Sequence, residues 1–202
     1  MKVAFLIDGF NFYHSIRHLD PKFHWLNYYL FCCHFVPSSD QVEKVIFFTA
    51  KAHWLGQETV KRHSVFIEAC KYNNIEIIEG AFKEKISYCA LCKKSSIHHE
   101  EKYTDVNIAL TGYRLACNTD IDKIIFVTGD TDLVPAINAI KSDFSEKTVG
   151  VLFPYKKHNH ELKKSANFSF NTKIDTLEKY VMPKVLVNNK DKRIICPDKW
   201  IK

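Results

Sequence analysis

The sequence predicts an α/β fold with a central, mostly parallel sheet flanked by helices. Two observations carry that prediction. Short, β-branched apolar runs alternate with longer amphipathic stretches, the pattern of βαβ units. Two of those runs are followed by aspartate, at the carboxyl ends of strands where open parallel sheets bind their ligands. Taken in order, the candidate strands are residues 3–7, 44–49, 75–80, 123–128 and 148–153. A first helix is expected to start near Asn11 and an aromatic one to cover 26–35. Over 57–72, Val60, Ser64, Ile67 and Cys70 recur at helical spacing, and 103–117 and 132–141 read as helices in the same way. The polar stretch at about 82–101 breaks the alternation and is expected to project as a loop or small hairpin. No internal repeat is present.

A chain of 202 residues is long enough for one well-buried domain. The expected division is a domain over 1–182, carrying the 82–101 insertion, and a basic tail over 183–202 packed on it or wrapping it. Hydrophobic residues make up 46% of the chain and glycine and proline occur only six times each, which excludes a disordered or fibrous chain. Lysine and arginine outnumber aspartate and glutamate by 29 to 23. A basic surface around a local acid cluster suits a polyanionic partner whose phosphate must reach a metal. No stretch has membrane length and no signal-peptide pattern is seen, so a cytoplasmic protein without membrane contact is expected. The seven cysteines are odd in number and lack the spacing of a disulfide framework.

The chemistry is expected at Asp8, Asp105, Asp130 and Asp132. Asp8 follows the first strand, Asp130 and Asp132 follow the fourth, and Asp105 opens the 103–117 helix. If the two strands are neighbours, these acids converge, and convergent carboxylates stay ionised together only with a cation among them. Magnesium or manganese, hard ions that take oxygen ligands, would resolve the conflict. Each acid also has a structural reading: Asp132 as a helix cap, Asp8 as part of a turn, Asp105 as a complement to the helix dipole. Asn11 is open to two readings as well, contact with a phosphate or metal-bound water and service as an N-cap.

Ile7-Asp8-Gly9-Phe10-Asn11, Glu101-Lys102-Tyr103-Thr104-Asp105-Val106-Asn107 and Thr128-Gly129-Asp130-Thr131-Asp132-Leu133-Val134-Pro135, in this order, resemble the NYN-domain family of PIN-like nucleases over almost the whole chain. The resemblance implies a Rossmann-like, PIN-like three-layer fold and a magnesium or manganese site. It further implies a metal-dependent ribonuclease, with single-stranded RNA the expected substrate. The family's acidic positions fall on Asp8, Asp105, Asp130 and Asp132, its polar residue at the first helix on Asn11, and a phosphate-facing basic residue on Lys102. The alternative is a nuclease-like module that binds RNA or a protein without cutting.

Cys89 and Cys92 supply half of a zinc knuckle, with His98 or His99 as the candidate third and fourth ligands of a structural zinc site. Relatives in that family carry a CxxC at the same place. A reduced, metal-free loop is the competing reading. Lys156, Lys157, His158 and Asn159, after the fifth strand, are candidate nucleic-acid contacts, and other lysines nearby would follow a phosphate backbone. Phe10, Phe12 and Tyr13 read first as the buried face of a helix and second as base-stacking rings. A dehalogenase-like phosphohydrolase needs a second aspartate two residues after the first, where this chain has Phe10. No GxxxxGK or GxGxxG motif follows a strand.

Overall fold

The computed structural model describes residues 1–117, 120–187 and 193–201. In chain order the elements are β1 (Lys2–Asp8), α1 (Gly9–Ile16), α2 (Tyr28–Cys33), β2 (Gln41–Thr49), α3 (Gln57–Tyr72), β3 (Glu76–Glu79), β4 (Ala81–Tyr88), β5 (Ser95–Lys102), α4 (Thr104–Cys117), β6 (Lys123–Val127), α5 (Val134–Asp143), β7 (Thr148–Phe153), α6 (His160–Ser165), β8 (Phe168–Asn171), α7 (Ile174–Lys179), β9 (Val185–Val187) and β10 (Arg193–Ile195). Six strands form one sheet in the order β3-β2-β1-β6-β7-β8, with every pairing parallel.

Runs that are apolar on both faces belong in a sheet covered on both sides. Phe5 and Ile7 of β1 point to one core, with Phe12 of α1, Phe31 of α2 and Phe66 of α3. Ala4 and Leu6 point to the other, with Ile108 of α4 and Ile137 and Ile140 of α5. The result is a three-layer α/β fold. Among the described residues no helix is long and apolar enough to cross a membrane.

The five strands expected from the sequence are present, and β8 adds a sixth at the sheet edge. Its four residues, Phe168-Ser169-Phe170-Asn171, are too short and polar to announce a strand. What makes it one is the parallel pairing with Gly150 to Phe153 of β7. The aromatic stretch 26–35 shortens to α2, because Asn27 caps it by accepting from the Leu30 amide. Residues 82–101 form an antiparallel hairpin of β4 and β5, in register from Ala81 with Lys102 to Tyr88 with Ser95. The described part of the tail makes the β9–β10 hairpin, whose Leu186 and Ile194 pack with Cys196 on Trp25, Ala69 and Met182. Residues 188–192 and 202 of that tail lie outside the described residues.

Gly9 joins β1 to α1 against the neighbouring strand. A Cβ there would stand 2.4 Å from the Phe48 carbonyl oxygen and 2.5 Å from the Phe47 ring. Backbone is the obstacle, so Gly9→Ala must displace the junction that carries Asp8. The expected cost is about 1–3 kcal/mol. Thermal denaturation reads it as a Tm lowered by about 2–4 °C per kcal/mol for a chain of this size.

Candidate functional site

The chain runs outward from β1 through β2 to β3, then returns to the other side of β1 and runs through β6, β7 and β8. The order reverses between β1 and β6, which is where such sheets open a crevice at their carboxyl ends. Asp8 ends β1 and Asp130 follows β6 on the two sides of that point. Asp105 comes to the same place from the first turn of α4. Each of Asp105, Asp130 and Asp132 offers a carboxylate oxygen, and the three oxygens lie within 4.8 Å of one another. Among the described residues, this is the one group of three or more acidic, histidine or cysteine ligands that converges.

A hydrogen-bonded frame holds these acids. Asp8 is buried, and its Oδ1 accepts from the Asn11 amide while its Oδ2 accepts from Thr128 Oγ1, each at 3.0 Å. Thr128 Oγ1 in turn accepts from the Asp130 amide at 3.0 Å, and Asn11 Oδ1 accepts from the Gly129 amide at 3.0 Å. Asp130 then caps the 3-10 turn Thr131–Leu133 by accepting from the Asp132 amide at 3.1 Å. The cap of α1 is therefore Asp8, not Asn11, and the cap after β6 is Asp130, not Asp132. Asn11 instead ties the first helix to the loop after β6. In the sequence Thr128 reads equally as a hydroxyl donor to the site and as the end of a strand, and its hydroxyl is what links the two acid-bearing strands.

Burial pushes the Asp8 carboxyl up to about 6, against hydrogen bonds from Asn11 and Thr128, and the charges of Asp105 and Asp130 push the same way. Asp105 is raised by burial, then by Asp130 and Asp132. Glu101, at the end of β5, is a further acid of the site. Burial raises it to about 7, with Asp8 and Asp105 adding to the rise and a hydrogen bond from Thr104 Oγ1 opposing it. Its position in a polar hairpin hid it, although it stands four residues before Asp105 in the same segment. Burial raises these acids first and their mutual charges add to the rise, and an all-carboxylate donor set suits a hard divalent cation. These residues fit the ion.

The turn into α4 is unusual. Tyr103 has a φ of 78°, a left-handed conformation rare outside glycine, and its carbonyl accepts the Asn107 amide to start the helix. The neighbouring segment packs closely on Gly80, where a Cβ would meet Thr104 Oγ1 at 2.6 Å and the Lys102 carbonyl oxygen at 2.9 Å. Lys102 itself is paired with Glu100 at 2.9 Å, and Lys85 reaches the same carboxylate at 2.5 Å.

On the other side of the crevice, a Cβ on Gly129 would stand 2.5 Å from the Lys157 carbonyl oxygen. The loop holding Lys156 and Lys157 thus borders the acids. Lys156 Nζ lies 5.3 Å from the centre of the Tyr155 ring. His158 packs against Phe153 and His160, and Asn159 caps α6 by accepting from the Glu161 and Leu162 amides. Of the α1 aromatics, Phe12 is fully buried, Phe10 packs edge-on to Phe82, and Tyr13 is 48% exposed. The helical turn splits them: Phe12 faces the sheet and Tyr13 is rotated off it.

The zinc ligand set Cys89, Cys92, His98 and His99 is not assembled. Both cysteines are exposed at the hairpin tip, where the Cys92 amide, then its thiol, then the Leu91 amide hold the Cys89 thiol below its usual pKa. His98 and His99 sit opposite Lys85 and Glu84, three and four pairs below Tyr88 and Ser95, and so roughly 10 Å or more down the strand at about 3.4 Å per residue. His99 is stacked on Trp54, with centroids 3.9 Å apart and planes 8° from parallel. His98 is hydrogen-bonded to Ser96. Strand register separates the two halves of the expected site.

Comparison with known proteins agrees with this architecture. The NYN domain model matches residues 2–175. A curated relative, 6-hydroxy-3-succinoylpyridine 3-monooxygenase HspA of Pseudomonas putida (strain DSM 28022 / S16), is 27% identical over 197 aligned residues. The match covers 79% of this chain, which spans 61% of that protein's length. A crystal structure of a protein of unknown function, VPA0982 of Vibrio parahaemolyticus RIMD 2210633, superposes with a TM-score of 0.57 at 17% identity. It covers 90% of this chain and 96% of its own, a likeness of fold alone. With the family model spanning both acid-bearing strands and α4, the chain belongs to the NYN domain family, a nuclease-like fold.

Proposed function

We propose that the chain is a metal-dependent ribonuclease that hydrolyses phosphodiester bonds of single-stranded RNA in the cytoplasm. The observation that carries this reading is the convergence of Asp105, Asp130 and Asp132 at the point where the strand order reverses. These three would hold magnesium or manganese, with Asp8 and Glu101 supplying further negative charge behind them. When bound, the ion polarises the phosphate, offsets the developing charge and provides an activated water. No side chain is needed as a nucleophile.

The protein's own part is positional. The Asp8–Thr128–Asp130 and Asn11–Gly129 hydrogen bonds keep the two strand ends in one geometry before substrate arrives. Lys156 and Lys157, on the loop beside Gly129, meet the phosphate backbone, and His158 and Asn159 extend that rim. Lys102 is drawn from Glu100 toward substrate phosphate when the strand binds. The direct test is incubation with labelled single-stranded RNA and DNA in magnesium, manganese or EDTA. Metal-dependent cleavage of RNA supports the reading, whereas RNA binding without cleavage in either metal replaces it with a non-catalytic binding module.

Reversing both Lys156 and Lys157 to Glu is expected to weaken RNA binding most at low salt. The slope of log affinity against log salt should shrink by about 0.7 for each single-strand phosphate that the variant no longer neutralises. An unchanged slope in a filter-binding titration would remove this loop from the interface.

A further inference from the structure

On the side of the sheet covered by α1 and α3 lies a cavity of about 480 Å³. Gly9 and Phe10, the two residues after Asp8, form part of its wall. Its other residues combine two chemistries. Tyr13, His24 and Trp200 form an aromatic row, with centroids 5.2 Å apart for Tyr13 and His24 and 5.8 Å for His24 and Trp200. Arg17, Arg62 and Lys199 also line it. Among the described residues none of these three cations is paired with a carboxylate; Arg62 bonds the Thr59 hydroxyl, and Arg17 meets the His18 and His14 rings.

Cations without a carboxylate partner beside an aromatic row select a planar ring that carries an anion. The volume is within the range of about 300–1,000 Å³ usual for small-molecule sites, and is enough for a single ring system with its attached groups. Phosphate groups suit guanidinium donors, and bases stack on aromatic rings whatever their sequence. Lys199 and Trp200 lie beyond residue 175, outside the stretch that matches the family, so the pocket is completed by this chain's own tail. The tail is held there by Trp200 packing on Trp25 and Phe66.

We propose that this cavity is a nucleotide-binding subsite: it takes one base of the RNA strand against the row of Tyr13, His24 and Trp200, and the adjoining phosphate at Arg17, Arg62 and Lys199. The assignment rests on the ribonuclease reading and deepens it by naming a place on the α1 side of the sheet that holds the strand. It gives the C-terminal tail a part in substrate binding.

The test uses the full chain in EDTA, where no hydrolysis occurs, titrated with UMP, CMP, AMP and GMP by calorimetry. Saturable binding of at least one nucleotide is expected. Tyr13→Ala, at an exposed position, and Arg62→Glu should each weaken it at least about fivefold, the lower end of what loss of a base-stacking ring produces. Asp130→Asn should leave it unchanged. Absence of binding at millimolar nucleotide, affinity untouched by both pocket variants, or equal affinity for nicotinate, an aromatic acid without ribose phosphate, overturns the proposal. Because the readout needs neither metal nor cleavage, the two ideas fail separately. Nucleotide binding without RNA hydrolysis would end the ribonuclease reading alone, and hydrolysis without nucleotide binding would end this one alone.

Discussion

Asp130→Asn is expected to lower metal-dependent RNA hydrolysis by on the order of 10³-fold, a loss of about 4 kcal/mol in transition-state stabilisation. The change is isosteric. It keeps the side-chain oxygen that accepts the Asp132 amide and therefore keeps the 3-10 turn after β6. What it removes is one of three converging negative charges, and with it part of the field that would hold the ion. RNA affinity in EDTA should change little, because the backbone contacts proposed above lie on the lysine loop and in the α1-side cavity. Single-turnover cleavage beside equilibrium binding separates the two effects. Cleavage by the variant within a few-fold of the parent would remove the metal mechanism, and equal loss of binding and cleavage would place Asp130 in the RNA interface instead.

Metal-free protein should become less stable as pH rises from 5 to 7.5, the reverse of ordinary acid denaturation. The sign follows from the raised acids. Asp8 rises from 3.8 to about 6 and Glu101 from 4.5 to about 7, so the folded state binds more protons than the unfolded chain between those values. Stability is then present below the ordinary pKa and declines as pH climbs to the raised one. For buried Asp8 the whole interval is worth about 3 kcal/mol at roughly 1.36 kcal/mol per pH unit. Glu101 is only partly buried and its share is discounted for solvent. In EDTA the Tm should fall by about 5 °C across the range, given about 2–4 °C per kcal/mol. Magnesium or manganese should restore it at pH 7.5 and do less at pH 5, where protons already occupy Asp8 and Glu101. Asp8→Asn should flatten the EDTA profile. A Tm that climbs with pH in EDTA, in parent and variant alike, would mean that these carboxyls are not held together as described.

Those two predictions rest on parts of the molecule that differ in how readable they were. Val3 to Ile7 and Lys123 to Val127 announce themselves as buried strands, because an apolar run has one stable place in an α/β fold. The acids after them follow directly, and so does the helix carrying Asp105. Glu101 did not stand out, since a polar hairpin gives no reason to expect burial. The zinc half-site was legible as a motif and misleading as a site, because spacing along the chain says nothing of the strand register that separates Cys89 and Cys92 from His98 and His99. The aromatic helix face held at Phe12 and failed at Tyr13, one residue on.

Local pattern in the chain was enough to determine the α/β class, five of the six strands of the central sheet and the placement of four aspartates at strand ends and a helix start, since each depends on residues close in sequence. Tertiary structure alone decided the rest. It set β1 beside β6, which brings Asp105 to Asp130 and Asp132, and it locked Asp8 to Thr128 across 120 positions of sequence. It also folded Trp200 back against His24, Trp25 and Phe66, so that the tail and α1 line one cavity. These pairings join distant segments, chosen by packing and hydrogen bonding over the whole fold, and no short window of sequence contains both partners.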